Sequence, residues 1–467
     1  MTTDYTALPA HAQLSALNRR LISSRELLDL HHERIQASTL NAVVTLDIDA
    51  ARQAASASDD RRARVQPVGH VDGLPLTIKD SFETVGLRTT CGAEELRHHI
   101  PARDAEAVAR LRHAGAVIMG KTNVPAYCQD LHTDNTLFGA TRNPHDPTRT
   151  PGGSSGGAAA AVAAGLTPLE LGSDLAGSLR LPAHYCGTYA LRPTQGIVPV
   201  RGHIPRPPGW LTTSDMLTPG PLARHPRDLA LMLTALTTPV PDEHTPWRLN
   251  LPEPSRDLDD FRIAVWSNDP GCPVDDATAE TLDHLTRRLT ATGAHVAHTP
   301  GPVSFTASSR LFEQLLHANA ALAGTDTEFT ANRTSARHLP DDDTSPRATA
   351  PRYRTQTHRT WLNANEERAR QRAAWTAFFE HHDVLLAPAA PAISNGSRTL
   401  HVNGNERSFC DQTGWTNLIS HVGLPAAIAP VGTDDHGMPI AVQIIGAPYA
   451  DRTVLTMAEH VAAHGST

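Results

Sequence analysis

The sequence predicts an α/β layered domain, and three observations carry this prediction. A segment with helical spacing and a glycine stop, residues 105–115, runs directly into a strand-like apolar segment, residues 116–123. Apolar strand-like segments occur near both ends of the chain, from GLPLTIKD (73–80) to PIAVQIIGAP (439–448), which favours one sheet built from distant parts of the chain. The 467 residues are enough to bury a large core.

The first half of the chain contains further helical segments. Leucines at near-helical spacing over residues 12–36 predict two helices, one ending and the next beginning near Ser24. Residues 141–157 carry the Pro, Asn and Gly that are typical of irregular structure. They give way to AAAAVAAGL (158–166), whose small side chains predict a helix suited to close packing.

In the second half, a polar excursion precedes the last elements of the core. Residues 325–358 are rich in Thr, Arg, Asp and Pro and are predicted to be solvated and variable, whereas residues 360–383 predict a strong helix. The segments DVLLAPAAPA (383–392) and AAIAPVG (426–432) predict buried strands of the central sheet.

Composition argues against several classes of function. The 41 basic residues are scattered among 49 acidic ones, with a formal net charge of −8, so no nucleic-acid surface is indicated. The 26 histidines include no HExxH motif, which favours scattered surface histidines over a metal centre. The five cysteines lack CxxC spacing and predict neither a disulfide framework nor a zinc site; they lie at positions 91, 128, 186, 272 and 410.

No targeting feature stands out in the sequence. The start, MTTDYTALPAHAQL, lacks the basic-then-apolar layout of a signal peptide. No uncharged apolar run reaches the ~20 residues that a membrane helix needs. We therefore expect a cytoplasmic protein that works without a membrane, a metal or another cofactor.

Lysine is rare in this chain and its two positions are informative. Only Lys79 and Lys121 are lysines among the 41 basic residues, and all others are arginines. A guanidinium keeps its proton in a protein, whereas a buried ammonium can lose it near neutral pH. A retained lysine is therefore a candidate general base, with chance retention as the alternative for either lysine taken alone.

The densest chemistry lies in the Gly- and Ser-rich residues 152–187. GGSSGG (152–157) is not a phosphate loop because no GK[ST] follows it. Residues 153–157 match GxSxG formally, but the nucleophile elbow needs a strand directly before it, and Thr-Arg-Thr-Pro precedes this segment. A flexible linker is disfavoured because the segment runs straight into an Ala-rich helix.

The second cluster, GSDLAGSLR (172–180), is the stronger candidate for a catalytic segment. The small residues before Ser178 allow consecutive N–H groups to converge, and such a nest stabilises an oxyanion. A serine at the edge of an oxyanion hole is a candidate nucleophile that needs a proton acceptor. We interpret Asp174 and Arg180, which flank the loop, as a structural ion pair.

These motifs together resemble the amidase signature family. GGSSGG, GSDLAGSLR and the upstream PLTIKD are matched by further segments of the chain, and the resemblance covers roughly 70–230 and 360–460. Those further segments are GAVIMGKTNVP (115–125), FGATRNPHDPTRTPGG (138–153), PAHYCGTYALRPTQGIVP (182–199), GPLARHPRDLALML (220–233), DVLLAPAAP (383–391) and GLPAAIAPVG with GMPIAVQIIGAPYAD (423–451).

The resemblance implies the domain organisation. It implies one α/β/α layered domain over residues 1–467 with a mixed central sheet, beginning with a helical segment at about 10–60. The motifs at 70–230 and 360–460 would form its core. Residues 240–358, most of which match no known motif, would form a variable substrate-side region. Segments 126–136, 203–217 and parts of 305–360 would contribute to the pocket.

The resemblance also assigns roles to individual residues. Ser178 is the implied nucleophile. Ser154, in a cis peptide, is the implied proton shuttle, and Lys79 is the implied base. Ser178 N–H would add to the oxyanion donors, which are the N–H groups of Leu175, Ala176 and Gly177. Supporting roles beside the triad fall to Ser155, Ser173, Asp174 and Arg180.

Three positions depart from the usual family pattern. Arg192 stands where the family usually has a lysine. Ala176 replaces a glycine in the oxyanion loop, and Ala126 replaces a glutamate. None of them belongs to the triad, and we expect local repacking around Ala126. Lys121 is usual in the family motif GKTN, and we expect a buried structural contact for it.

The function implied is hydrolysis of a small-molecule amide to a carboxylic acid and an amine or ammonia. The same triad would serve an acyltransferase that forms amides. A glutamine-hydrolysing subunit of a tRNA-amidating complex is disfavoured because RGHIPRPPGWLTTSD (201–215) differs from those subunits. An inactive binding scaffold is disfavoured by the intact triad. A homodimer is left open, and no nucleic-acid partner is expected.

Overall fold

A mixed sheet of eleven strands forms the centre of the described structure. The coordinates are a computed structural model that describes residues 3–238, 249–254, 257–323, 325–340, 342–393, 396 and 398–465. Strands β10 and β11 pair only with each other among the described residues. The strands are β1 (Val43–Leu46), β2 (Pro75–Lys79), β3 (Val117–Thr122), β4 (Leu169–Asp174), β5 (Tyr189–Arg192), β6 (Thr218–Ala223), β7 (Arg262–Val265), β8 (His295–His298), β9 (Val384–Pro388), β10 (Leu400–Val402), β11 (Asn405–Arg407), β12 (Ala426–Thr433) and β13 (Pro439–Gly446).

The strand order confirms that distant parts of the chain share one sheet. It runs β1-β3-β2-β4-β6-β5-β12-β13-β9-β7-β8. Strand β2 is parallel to β3 and β4, and β7 is parallel to β8 and β9. The other neighbouring pairs are antiparallel. The predicted α/β class with a mixed central sheet is therefore confirmed.

Helices pack on both faces of the sheet because its strands alternate their apolar side chains. On β9, Val384 and Leu386 join an apolar cluster with α7, α8 and α14, and Leu385 and Ala387 join another with α12 and α13. The helices are α1 (Ala10–Asn18), α2 (Ser24–Ala37), α3 (Ile48–Ala63), α4 (Glu106–His113), α5 (Gly156–Ala163), α6 (Arg180–Cys186), α7 (Pro226–Thr237), α8 (Asp276–Ala291), α9 (Phe305–Ala320), α10 (Asp326–His338), α11 (Pro346–Arg354), α12 (His358–Phe378), α13 (Gly414–Ser420) and α14 (Asp451–Gly465).

Local signals in the sequence explain where several helices begin. The two helices predicted over 12–36 are α1 and α2, and α2 starts after a capping box in which Ser23 and Glu26 bond each other's backbone N–H groups. The excursion at 325–358 contains α10 and α11, which its polar composition did not predict. No residue of α10 is buried, so the expected solvation of this region holds for that helix.

The parallel strands β2 and β4 bring the two predicted chemical motifs, PLTIKD and GSDLAGSLR, together at the carboxyl ends of these strands. Their carboxyl ends point the same way, so Lys79 at the end of β2 lies near the loop that follows Asp174. Helix α5 packs behind these strand ends, and Gly157 permits the contact because an added Cβ would lie 2.4 Å from Asn123 N. No helix of the described residues is long and apolar enough to cross a membrane.

Candidate active site

Lys79 lies at the end of β2 with its side chain completely buried. Its Nζ donates hydrogen bonds to Ser154 Oγ at 2.8 Å and to Ser173 Oγ at 3.0 Å. Burial lowers the pKa of Lys79 below the ordinary lysine value, against opposing contributions from Cys128 and Cys91. A buried amine with a lowered pKa, in contact with a hydroxyl, can accept a proton.

Ser154 lies in a loop that the neighbouring segment holds in place. The peptide bond between Gly153 and Ser154 is cis, as the family resemblance led us to expect. Thr133 Oγ1 donates to the Gly152 carbonyl at 2.8 Å and accepts from Gly156 N–H at 3.1 Å. The loop therefore presents the Ser154 hydroxyl to Lys79 from a fixed backbone.

Ser178 is half-buried and its backbone is tied to the Ser154 loop. Ser155 N–H donates to the Ser178 carbonyl at 3.2 Å, and Ser155 Oγ donates to the Ser173 carbonyl at 3.2 Å. In the described structure the Ser178 hydroxyl makes no hydrogen bond. The structure thus joins Lys79 and Ser154 directly and holds Ser178 beside them without a bond between the serine hydroxyls. In enzymes such bonds often tighten only when substrate is present.

The loop after β4 shows which of the predicted oxyanion donors are free of protein acceptors. Gly177 N–H donates to Asp174 Oδ1 at 3.0 Å, and its role as an oxyanion donor stays a prediction. Its φ of 103° is a conformation that glycine adopts without strain. Within the described structure, the N–H groups of Leu175, Ala176 and Ser178 have no acceptor.

Asp174 anchors this loop through two buried arginines. Arg180 Nη2 and Nε donate to its two carboxylate oxygens at 2.8 and 3.0 Å, and Arg192 Nη1 donates to its carbonyl oxygen at 2.7 Å. All three side chains are completely buried. Burial alone would raise the pKa of Asp174, but the two guanidiniums outweigh it and hold this pKa well below the usual range. Arg192 thus replaces the family's usual lysine in a role that needs only a permanent cation.

We expect an Asp174→Ala protein to be less stable by about 3–5 kcal/mol, because the change leaves two guanidiniums buried without their carboxylate. Urea unfolding followed by tryptophan fluorescence measures this difference. The matched control is Glu366→Ala, which breaks the exposed pair with Arg370 and should change the free energy of unfolding by less than about 0.5 kcal/mol. Equal stability of the Asp174→Ala and wild-type proteins would contradict the anchoring role.

His203 belongs to the site, and the sequence did not reveal it. Its Nε2 lies 2.8 Å from Ser173 Oγ and 2.9 Å from Ser81 Oγ, and Ser173 also contacts Lys79. Burial, with smaller contributions from Lys79 and Lys121, lowers the pKa of His203 well below its ordinary value, so the imidazole is neutral. The only signal in the sequence is a single histidine in the segment RGHIP, which periodicity and spacing do not single out.

Lys121, the second lysine, is buried on β3, and in the described structure it makes no hydrogen bond to Ser154, Ser173 or Ser178. Its Nζ donates to the carbonyl oxygen of Phe82 and to the hydroxyls of Thr84 and Thr89, at 2.9 and 3.2 Å for the hydroxyls. These bonds hold the segment after Lys79, which is a structural contact of the kind that we expected. Burial lowers the pKa of Lys121 to about 8.

Lys79 and Ser154 can pass a proton between them. Beside them, in the described structure, lie the unbonded hydroxyl of Ser178 and the unbonded N–H groups of the loop after β4. Across the described residues, no group of three or more His, Cys, Asp or Glu side chains could hold a metal ion. A cavity of about 470 Å³ lies between α1, α7 and α14, and none of the predicted site residues lines it. The region around Lys79, at the carboxyl ends of β2 and β4, is therefore the candidate site.

Comparison with known proteins gives a consistent result. The Amidase family model matches residues 26–455. A glutamyl-tRNA(Gln) amidotransferase subunit of Heliobacterium modesticaldum is 30% identical, over 96% of this chain and 95% of that protein. The AtzE subunit of the 1-carboxybiuret hydrolase of Pseudomonas sp. (strain ADP) is 34% identical, over 89% of each. The crystal structure of a bacterial aryl acylamidase of the amidase signature enzymes superposes with a TM-score of 0.79 at 27% identity, over 98% of this chain and 96% of that one.

Proposed function

This chain belongs to the amidase family and is an amide-hydrolysing enzyme, and from that premise we propose that it cleaves a small amide through an acyl-enzyme on Ser178. The observation that carries this proposal is the 2.8 Å contact between Lys79 Nζ and Ser154 Oγ, made by a completely buried amine. Neutral Lys79 is the base, Ser154 passes the proton, and Ser178 forms the covalent bond.

In the acylation step, Ser178 Oγ attacks the carbonyl carbon of the amide. Its proton moves to Ser154 while the proton of Ser154 moves to Lys79 Nζ. When the tetrahedral intermediate collapses, the C–N bond breaks and the relay returns a proton to the departing nitrogen. The products are an ester on Ser178 and an amine or ammonia.

In the deacylation step, water takes the place of the amine. The relay removes a proton from the water as its oxygen attacks the ester carbon, and the bond between this carbon and Ser178 Oγ breaks. The proton returns to Ser178 and a carboxylic acid leaves. The charge on the carbonyl oxygen in both steps is stabilised by N–H groups at Leu175, Ala176 and Ser178, where losing one donor would raise the barrier by roughly 3–4 kcal/mol.

The surroundings of the oxyanion loop favour an amide with an apolar group. Leu175 and Ala176 pack against one apolar cluster, in which most of the remaining side chains come from α9 and α12. Helix α9 belongs to the region 240–358, and this contact supports our prediction of a substrate-side role for that region. The cluster consists of Met216, Leu311, Phe312, Leu315, Leu316, Trp361 and Ala364.

Two alternatives use the same triad. An amine that reaches the ester before water would give a new amide, so acyl transfer depends on access alone. Hydrolysis of glutamine to supply ammonia to a partner protein is favoured by the 30% identity to an amidotransferase component, and disfavoured by the apolar cluster beside the loop.

The test is a panel of aliphatic, aryl and amino-acid amides, including glutamine, incubated with and without hydroxylamine and read by mass spectrometry. We expect free carboxylic acid as the main product, with apolar amides turned over faster than glutamine. If acylation limits the rate, the amine diverts product without speeding its formation.

A Ser178→Ala protein provides the blank for each substrate. Glutamine as the fastest substrate would replace this proposal by the ammonia-supplying alternative. A hydroxamic acid as the main product at modest hydroxylamine concentration would make the protein an acyltransferase.

A further inference from the structure

Two cysteines lie beside the triad and the proposed mechanism uses neither. Cys91 Sγ and Cys128 Sγ are 3.7 Å apart. Tyr127 N–H donates to the Cys91 carbonyl at 2.8 Å, so the two segments that carry the thiols are already in contact. Cys91 N–H donates to the Asp80 carbonyl at 2.8 Å, which fixes this segment to the residue that follows Lys79.

Cys128 is the cysteine that reaches the triad. Of the charged groups around Lys79, Cys128 acts most strongly on its pKa, so the sulfur lies close to the lysine. Cys128 is half-buried, whereas Cys91 behind it is buried. A reagent in solution therefore reaches Cys128 before Cys91.

The surroundings make the two thiols chemically different. A hydrogen bond from Cys91 lowers the pKa of Cys128, and the charge of Lys79 adds to this against the effect of burial. Burial raises the pKa of Cys91 well above its ordinary value. An accessible thiolate next to a buried thiol is the arrangement found where one cysteine reacts with an oxidant and its neighbour resolves the product.

We propose that Cys91 and Cys128 form a redox-active dithiol and that hydrogen peroxide converts them into a disulfide. Cys128 Sγ attacks one peroxide oxygen, the O–O bond breaks, and a sulfenic acid and water form. Cys91 Sγ then attacks the sulfur of Cys128, the S–O bond breaks, and the proton of Cys91 leaves with the hydroxide as a second water. In total, two thiols and one peroxide give one disulfide and two waters, with two electrons passing from sulfur to oxygen.

Formation of the bond moves the segments that carry the two cysteines. A disulfide requires an S–S distance of about 2.0 Å, so the sulfurs must approach each other by roughly 1.7 Å. Because Cys91 N–H bonds the Asp80 carbonyl, this movement is passed to the residue next to Lys79. The effect on turnover rests on the function proposed above, and we expect kcat/KM to fall by at least about tenfold, because a displacement of about 1 Å at a catalytic group can have such an effect. The thiol chemistry itself does not depend on the proposed function.

The experiment exposes the full-length protein to hydrogen peroxide, blocks free thiols with iodoacetamide and maps the peptides by mass spectrometry. We expect the loss of two hydrogen atoms and one linked peptide pair that contains Cys91 and Cys128. Amide hydrolysis should fall in parallel and return with dithiothreitol. Because the linked peptides are measured without substrate, a failure of the dithiol proposal is distinguishable from a failure of the proposed function.

Two variants control the assignment. Cys91→Ser should keep its activity before oxidation, form no linked pair, and gain oxygen on Cys128 in place of losing hydrogen. Cys410→Ser, which removes an exposed cysteine outside the pair, should respond to peroxide as the wild type does. If Cys91→Ser does not fold, Cys128→Ser tests the same linkage. No linked pair in the wild type overturns the proposal, whereas complete linkage that leaves turnover unchanged supports the dithiol and contradicts only the expected effect on catalysis.

Discussion

A Lys79→Arg enzyme is expected to remain folded and to lose turnover by roughly 10³-fold, since a general base contributes about 10²–10⁴-fold to the rate. Arginine keeps the positive charge but cannot accept a proton, whereas the proposed relay requires the neutral amine to take one from Ser154. The measurement is kcat/KM for an amide that the wild type hydrolyses, with far-UV circular dichroism as the check on folding.

The matched control for this change is Lys121→Arg, at the only other lysine in the chain. Both lysines are completely buried, so both variants place a guanidinium in the same kind of surroundings. Lys121 holds a carbonyl and two threonine hydroxyls, so its replacement should cost stability and leave kcat close to that of the wild type. Appreciable turnover by a folded Lys79→Arg protein would remove Lys79 from the mechanism.

The same role of Lys79 fixes the direction of the pH dependence. Its neutral form is the active one, so kcat/KM should fall as the pH decreases and Lys79 takes up a proton. Burial lowers its pKa, so the midpoint of this limb should lie below the ordinary lysine value of ~10.4. Because the charge of Cys128 raises the pKa of Lys79, Cys128→Ser should lower this midpoint. A kcat/KM that does not fall towards acid would contradict a lysine base.

The parts of the fold that the sequence predicts are those whose signal is local. Continuous apolar segments such as those of β9, β12 and β13 indicate buried strands, and the retention of lysine among many arginines marked Lys79 before any contact was known. Helix α10 escaped prediction because a helix without a buried residue has no apolar periodicity to read, and the short helix α11 buries only Ala348.

The parts that escaped prediction depend on contacts between distant segments. His203 meets Ser173 across 30 positions, and Cys91 meets Cys128 across 37, and nothing in the spacing of either pair indicates the contact. The family resemblance implies Gly177 as an oxyanion donor, and only the fold shows that its N–H also bonds Asp174. Sequence motifs therefore predict which residues lie in the same site. Only the fold shows which of their hydrogen-bonding groups have no partner within the protein.

The second large effect is expected at the two serines, whose roles differ in kind. Ser178→Ala should lower kcat by on the order of 10⁴-fold or more, as the loss of a nucleophile does in a serine hydrolase, and should abolish labelling by a fluorophosphonate probe. Ser154→Ala should slow labelling while the label still forms on Ser178, because a proton shuttle never carries the acyl group. Peptide mapping of the labelled protein shows which serine carries the phosphonate.

Ser155→Ala is the control that separates these roles from simple disturbance of the loop. Its hydroxyl donates to the Ser173 carbonyl, while the backbone N–H that holds Ser178 is unchanged by the substitution. Labelling at a rate within about tenfold of the wild type is therefore expected, since only one supporting hydrogen bond is lost. Labelling of Ser178→Ala at the wild-type rate would show that another residue is the nucleophile. A label on Ser154 in the wild type would reverse the two assignments, because the hydroxyl in contact with the lysine would then be the one that attacks.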